Sequence, residues 1–135
     1  MNLYIVPTNQ VHRFWDKAVP HIEQAKKMGD SEYTIDQLKL LVIQGQQQLL
    51  MVMDDEDKCH VALTIQWTTL GSQRVCYISY IGGNNTQECW DQFVQWVKNS
   101  GGTSIQGSTK SKAIARLWRM AYKMQSKYTL MELKL

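Results

Sequence analysis

Three apolar, β-prone runs follow one another in the middle of the chain, at Gln48–Met53, 59–67 and 74–81. Only short polar links separate them: the acidic stretch 54–57, and Leu70-Gly71-Ser72-Gln73. Glycine, serine and aspartate supply the turn conformations that strand residues avoid. Three strands joined by such short links form an antiparallel meander. The third run has little polar alternation, as expected of a central strand. The 54–57 stretch is predicted to be a solvated hairpin tip.

Helical signals flank this block. Leu3-Tyr4-Ile5-Val6 reads as a short strand ended by Pro7. Thr8 or Asn9 can cap a helix carrying Val11, Phe14 and Trp15. Pro20 is predicted to start a second helix reaching about Met28, closed by Gly29-Asp30. Thr34 and Gln37 have the spacing of a capping box, and Tyr33 can staple onto Leu38. Ile35, Leu38, Leu41 and Val42 then share one face until Gly45.

After the meander, Gly82-Gly83-Asn84-Asn85 breaks the strand, and Asn85 with Glu88 can open a helix. Cys89, Trp90, Phe93, Val94 and Val97 line one side of it, and Gly101-Gly102 stops it. Residues 103–107 read as a short strand. Ser108 or Thr109 is predicted to cap a basic helix with Ala113, Ile114, Leu117, Trp118, Ala121 and Tyr122 on its apolar side. The alternation over 128–135 predicts a last strand. The order is that of one α/β (α+β) domain over residues 1–135: a mixed, mostly antiparallel central sheet flanked by helices.

Composition narrows the function classes. The chain has 135 residues, 44% hydrophobic and 20% charged, values that belong to a globular domain. No apolar run approaches the ~20 residues of a membrane span. The N-terminus lacks the pattern of a secretory leader, so a cytosolic protein, or one packaged from a cytosol, is expected. Cys59, Cys76 and Cys89 are odd in number and show no zinc spacing, so buried structural thiols and no metal are expected. His12, His21 and His60 have no metal-ligand spacing either.

The net charge of +3 is unevenly placed. Residues 110–127 hold six basic side chains and no acid, so the remainder carries −3. This basic helix makes nucleic acid, coenzyme phosphates or an acidic protein candidate partners, against the simpler reading of solvated helix charge. Trp118 and Tyr122 could stack on bases, although their helical spacing with Leu117 and Ala121 argues for core packing. Five tryptophans and seven methionines point to apolar surface shared with a partner. That expectation fails if all five tryptophans are buried within the chain.

The element order resembles the GNAT (Gcn5-related N-acetyltransferase) fold. The stretch from Ile78 through the helix to Trp96 looks like its central strand, coenzyme loop and helix, and 103–135 like its closing strand, helix and strand. More narrowly, VPTNQ, AVPHIEQAKKMG, YTIDQLKLLVIQGQQQLLMV and VCYISYIGG resemble small GNAT-like proteins of tailed bacteriophages, including internal virion proteins of short-tailed coliphages.

The resemblance implies acetyl-CoA held by Ile78, Tyr80, Gly82, Gly83, Asn84, Asn85 and Thr86, its pyrophosphate at the helix start. Here Ile81-Gly82-Gly83-Asn84-Asn85-Thr86 stands where the family has Gln/Arg-x-x-Gly-x-Gly/Ala, so the basic residue is missing. The family's Asn-x-x-Ala-x-x-x-Tyr aligns with Ser111, Ile114 and Trp118, which leaves Tyr122, one turn on, as the acid for the departing thiolate. His60, Tyr77, Ser79 and Tyr80 are candidate bases by position, and the catalytic pair is taken as Tyr122 and His60. Two readings stand. One is a catalytically degenerate phage protein that binds a virion or host protein, in the virion or the host cytoplasm. The other is an acetyl-CoA-dependent N-acetyltransferase.

Overall fold

The computed structural model describes residues 1–28, 33–84 and 86–135. Five strands form one sheet in the order β1-β2-β3-β4-β5: β1 (Asn2–Ile5), β2 (Gln48–Met53), β3 (Cys59–Leu70), β4 (Gln73–Gly83) and β5 (Ser104–Gly107). β2–β3 and β3–β4 are antiparallel, as expected of a meander; β1 also pairs β2 antiparallel, and β4 pairs β5 in parallel. The parallel step needs a crossover, supplied by α3 (Thr86–Asn99). The other helices are α1 (Val11–Met28), α2 (Ile35–Ile43) and α4 (Lys112–Ala121).

The period of two along the strands builds a core on each face of the sheet. Leu49, Met51 and Ala62 join Trp15, Ala18, Ile22, Leu38 and Val42 on the face covered by α1 and α2. Leu50, Val52, Val61, Leu63 and Ile65 join Cys89, Phe93 and Val97 on the face covered by α3. Cys59, Cys76 and Cys89 are all buried, and none of the three is in a disulfide.

The capping box holds: the Gln37 amide donates to Thr34 Oγ1 at 3.1 Å, and the Thr34 amide donates to Gln37 Oε1 at 2.9 Å. Tyr33 packs against the same cluster as Leu38. Gly45, at φ +81°, ends α2, and Gly101, at φ +83°, ends α3. Asn85 and Gly29-Asp30 lie outside the described residues, as does the side chain of Glu88.

Three expectations are corrected. Pro20 does not divide two helices but lies inside the continuous helix α1. It is exposed, so the carbonyl it leaves unpaired can be met by water, while Ala18 and Ile22 keep the buried stripe intact. Second, Ser111 caps α4, its Oγ accepting from the Ile114 amide at 3.2 Å, rather than Ser108 or Thr109. Thr109 Oγ1 instead accepts from the Ser111 amide at 3.1 Å, which turns the chain into the cap. Third, residues 128–135 form no strand: they carry no ladder and are exposed. Alternation supplies a face but not the partner that a strand's amides require.

Trp15 is buried, while Trp67, Trp90, Trp96 and Trp118 are half-buried. Of the apolar side chains assigned to the basic helix, Ile114, Trp118 and Tyr122 are half-buried, and Ala113, Leu117 and Ala121 are exposed. No α4 side chain is fully buried. Among the described residues no helix is long and apolar enough to cross a membrane.

Candidate functional site

The parallel pairing of β4 with β5 runs only from Val75 opposite Ser104 to Ile78 opposite Gly107. β5 stops there, whereas β4 continues to Gly83. Residues 79–83 therefore have β3 on one side and, among the described residues, no strand on the other. A cleft of about 280 Å³ occupies the gap, bounded by β4, the end of β5, α4, and Trp90 of α3.

A bulge shapes this stretch. Thr64 pairs with Tyr80 and Ile65 with Ile78, so Ser79 is the extra residue on β4. The slip reverses the facing of the strand. Cys76 and Ile78 pack with the α3 core, but Tyr80 packs with the α1 and α2 core. Ser79 Oγ is thereby aimed at Gln47, donating to its Oε1 at 2.9 Å. Gln47 is only 3% exposed, and its Nε2 donates to Gln66 Oε1 at 3.1 Å. On the rim the hydroxyls of Tyr77 and Ser108 share a hydrogen bond of 2.8 Å. Tyr80 buries its ring and accepts the Tyr33 amide on its hydroxyl at 3.3 Å.

From the sequence-derived set, Ile78, Tyr80, Gly82, Gly83 and Tyr122 come together on the cleft wall. Tyr122 ends α4 and stacks on Trp90, with ring centroids 4.3 Å apart and planes 17° from parallel. Trp118 lies over Gly107: a Cβ there would touch its ring at 3.5 Å. Asn84 follows β4, its amide already donating to the His60 carbonyl at 2.9 Å. Thr86 begins α3, while Asn85 is outside the described residues.

His60 stands apart from the cleft lining. It is the extra residue of a second bulge, on β3 where Val52 pairs with Val61 and Met53 with Cys59. Its Nε2 donates to Asp54 Oδ2 at 2.7 Å on the β2–β3 hairpin. That bond, together with the Lys58 and Glu56 amides on Asp54 Oδ1, lowers the Asp54 carboxyl to about 2. Cys59 and Cys76 move the other way, to about 11 and about 12, because burial disfavours the thiolate.

The two glycines owe their identity to packing. A Cβ on Gly82 would collide with the His21 carbonyl oxygen, because α1 lays its main chain directly on β4. Gly83 adopts φ +130°, and a Cβ there would collide with the His60 carbonyl oxygen of β3. The residues that sequence reasoning missed are Gln47 and Gln66, distant in sequence and gathered by the Ser79 bulge, which no motif announces.

The lining tests what the cleft can hold. It consists of apolar, aromatic, hydroxyl and amide groups, with no charged side chain among the described residues. That chemistry suits an uncharged, amide-bearing chain such as the pantetheine arm of coenzyme A, lying beside the strand edge at 79–83. It supplies no side-chain cation for a pyrophosphate.

No family model matches the sequence. A search of curated proteins finds no match either. Solved structures do match. An aminoglycoside acetyltransferase from an uncultured soil metagenomic sample, in complex with sisomicin, superposes with a TM-score of 0.72 at 12% identity, over 99% of this chain and 95% of that one. A ribosomal-protein-alanine N-acetyltransferase from Brucella melitensis gives 0.71 at 8%, covering 100% of both chains. A tetramutant of a Bacillus halodurans protein gives 0.68 at 13%, again over 100% of both. At these identities the likeness is one of fold. The chain has a GNAT-like architecture, an α+β mixed sheet of five strands with flanking helices.

Proposed function

We propose that the chain is an acetyl-CoA-dependent N-acetyltransferase that works in the cleft between β4 and β5. One observation carries this reading: the two parallel strands part after Ile78 and Gly107, leaving the β4 edge at 79–83 beside a cavity. Acetyl-CoA would supply the thioester, whose acetyl group passes to an amine as the C–N bond forms and the C–S bond breaks. Ile78, Tyr80, Gly82 and Gly83 would present main chain to the coenzyme arm. The helix start at Thr86 would meet its phosphates through backbone amides alone. The Tyr122 hydroxyl would protonate the departing sulfur, held in place by the Trp90 stack, and the amine would lose its proton to water. His60, bonded to Asp54 outside the lining, takes no part in this assignment.

Isothermal titration with acetyl-CoA tests binding, and thiol release against a panel of amines tests turnover. Heat should be released, and Tyr122→Phe should keep the binding while turnover drops on the order of 10²-fold, the usual effect of losing a general acid. Absence of heat at millimolar acetyl-CoA would remove the reading.

A second reading keeps the architecture without turnover: a bacteriophage protein acting in the virion or host cytoplasm by binding a partner. Trp118 supports it, because the resemblance aligns it with the family's tyrosine and an indole cannot protonate a thiolate. So does the lack of any charged side chain on the cleft wall among the described residues. The exposed cations of α4 would then face an acidic protein or nucleic acid. Heat with acetyl-CoA but no thiol release with any amine would support this second reading.

A further inference from the structure

The proposed function leaves part of the cleft unassigned. The coenzyme arm, Tyr122 and the start of α3 take the side along 79–83, an assignment that rests on the acetyltransferase reading. The remaining wall lies toward α1 and α2, where Gln24, Tyr33, Gln47, Gln66 and Ser79 meet the cavity.

Three of these side chains form one run of hydrogen bonds. Ser79 Oγ donates to Gln47 Oε1 at 2.9 Å, and Gln47 Nε2 donates to Gln66 Oε1 at 3.1 Å. Gln47 is the fixed member: it is buried, and its main-chain amide donates to the Leu41 carbonyl of α2 at 3.2 Å. A serine hydroxyl has one proton and two lone pairs. With the proton held by Gln47, Ser79 Oγ offers the cleft lone pairs only, so a ligand group that satisfies it must be a donor. A carboxamide oxygen does not take the proton up, so Ser79 orients a ligand and is not a base. Gln66 is exposed and uses its Oε1 in this run, which leaves its Nε2 to donate to a ligand carbonyl.

The same wall sets the charge of what enters. Among the described residues no charged side chain lines the cleft, so an ammonium would lose water there without gaining a counter-ion. The amine must arrive neutral, as attack on a thioester also requires. An α-amine ionises at about pH 8 and a lysine amine at about pH 10.4, so at neutral pH roughly 300 times more of the α-amine is neutral. We infer that Ser79, oriented by Gln47, positions the acceptor amine, and that the acceptor is a neutral α-amine beside an amide carbonyl, as in a peptide N-terminus or an amino-acid amide.

The probe is alaninamide, titrated into the isotopically labelled full chain with and without coenzyme A and followed by nuclear magnetic resonance. At about pH 9 the side-chain amide signals of Gln47 and Gln66 should shift. At about pH 6, where alaninamide is mostly charged, binding should weaken at least roughly tenfold. Propanamide keeps the carbonyl and lacks the amine, and should bind roughly tenfold more weakly than alaninamide at about pH 9. Ser79→Ala should weaken alaninamide binding, and raise its KM, by a similar factor while releasing unchanged heat with acetyl-CoA. The inference is overturned by equal affinity for propanamide, by tighter binding at the lower pH, by unchanged affinity in Ser79→Ala, or by no shift of either glutamine with or without coenzyme A. Heat with acetyl-CoA alongside any of those results would leave the acetyltransferase reading standing. Glutamine shifts with alaninamide but no heat with acetyl-CoA would remove that reading and support the amine subsite.

Discussion

Asp54 shows how one side chain organises a tip that composition alone marks only as acidic. Its Oδ1 accepts two hairpin amides and its Oδ2 accepts from His60, so the charged form is favoured and the carboxyl falls from 3.8 to about 2. The folded state thus gives up this group's charge only at lower pH than the unfolded chain does. As pH falls, the unfolded chain takes the proton first, and stability from Asp54 is lost between about pH 4 and about pH 2 while remaining intact above that window. Asp54→Asn should therefore flatten the dependence of the denaturant midpoint on pH in this window. The flattening should shrink in high salt, because the carboxylate is at the surface. Parallel curves for the two proteins would show that the hairpin does not use this charge.

Elements differ in how far their residues announce them. The capping box of α2 was legible because Thr34 and Gln37 act on each other at fixed spacing. The meander was legible because apolar runs and turn residues alternate in the sequence itself. Other features depend on partners remote in the chain. Pro20 sits inside α1 because burial on the opposite stripe outweighs one lost hydrogen bond. The bulges at Ser79 and His60 depend on how the neighbouring strand is registered. The Ser79 bulge builds much of the cleft, and the His60 bulge turns a candidate base toward the hairpin, so the site was far less legible than the scaffold. Gly82 and Gly83 were visible, but their reason, the close approach of α1 and β3, was not.

The cap of α4 gives a prediction at this scale. α4 buries no side chain fully and relies on Ser111 Oγ at its start. Ser111→Ala should cost about 1 kcal/mol of local helix stability. Amide exchange should accelerate roughly fivefold across Lys112–Ala121 with little shift in the global midpoint. An equal acceleration in β3 would show that α4 is part of the global folding unit.

At the scale of the whole molecule, the question is whether two cores can come apart. They lie on opposite faces of one sheet and are built from adjacent residues of the same strands: Leu49 and Met51 on one side, Leu50 and Val52 on the other. Neither face can lose its strands without the other losing them too, which predicts one cooperative transition. The cysteines report on this directly. Cys59 lies in the α1 and α2 core, and Cys76 and Cys89 in the α3 core. Burial also raises Cys59 to about 11 and Cys76 to about 12, so in the native state at neutral pH these two are shielded and protonated. In a denaturant series with a brief pulse of a thiol reagent, all three should become reactive at one midpoint. That midpoint should coincide with the change in emission of Trp15, Trp67, Trp90 and Trp96, which sample both faces. The discriminating residue is Cys89, since it sits on α3 rather than on a strand. If Cys89 reacts at lower denaturant than Cys59 and Cys76, α3 peels from an intact sheet and the single-transition account fails. If all three react together, the shared strands bind both layers into one folding unit.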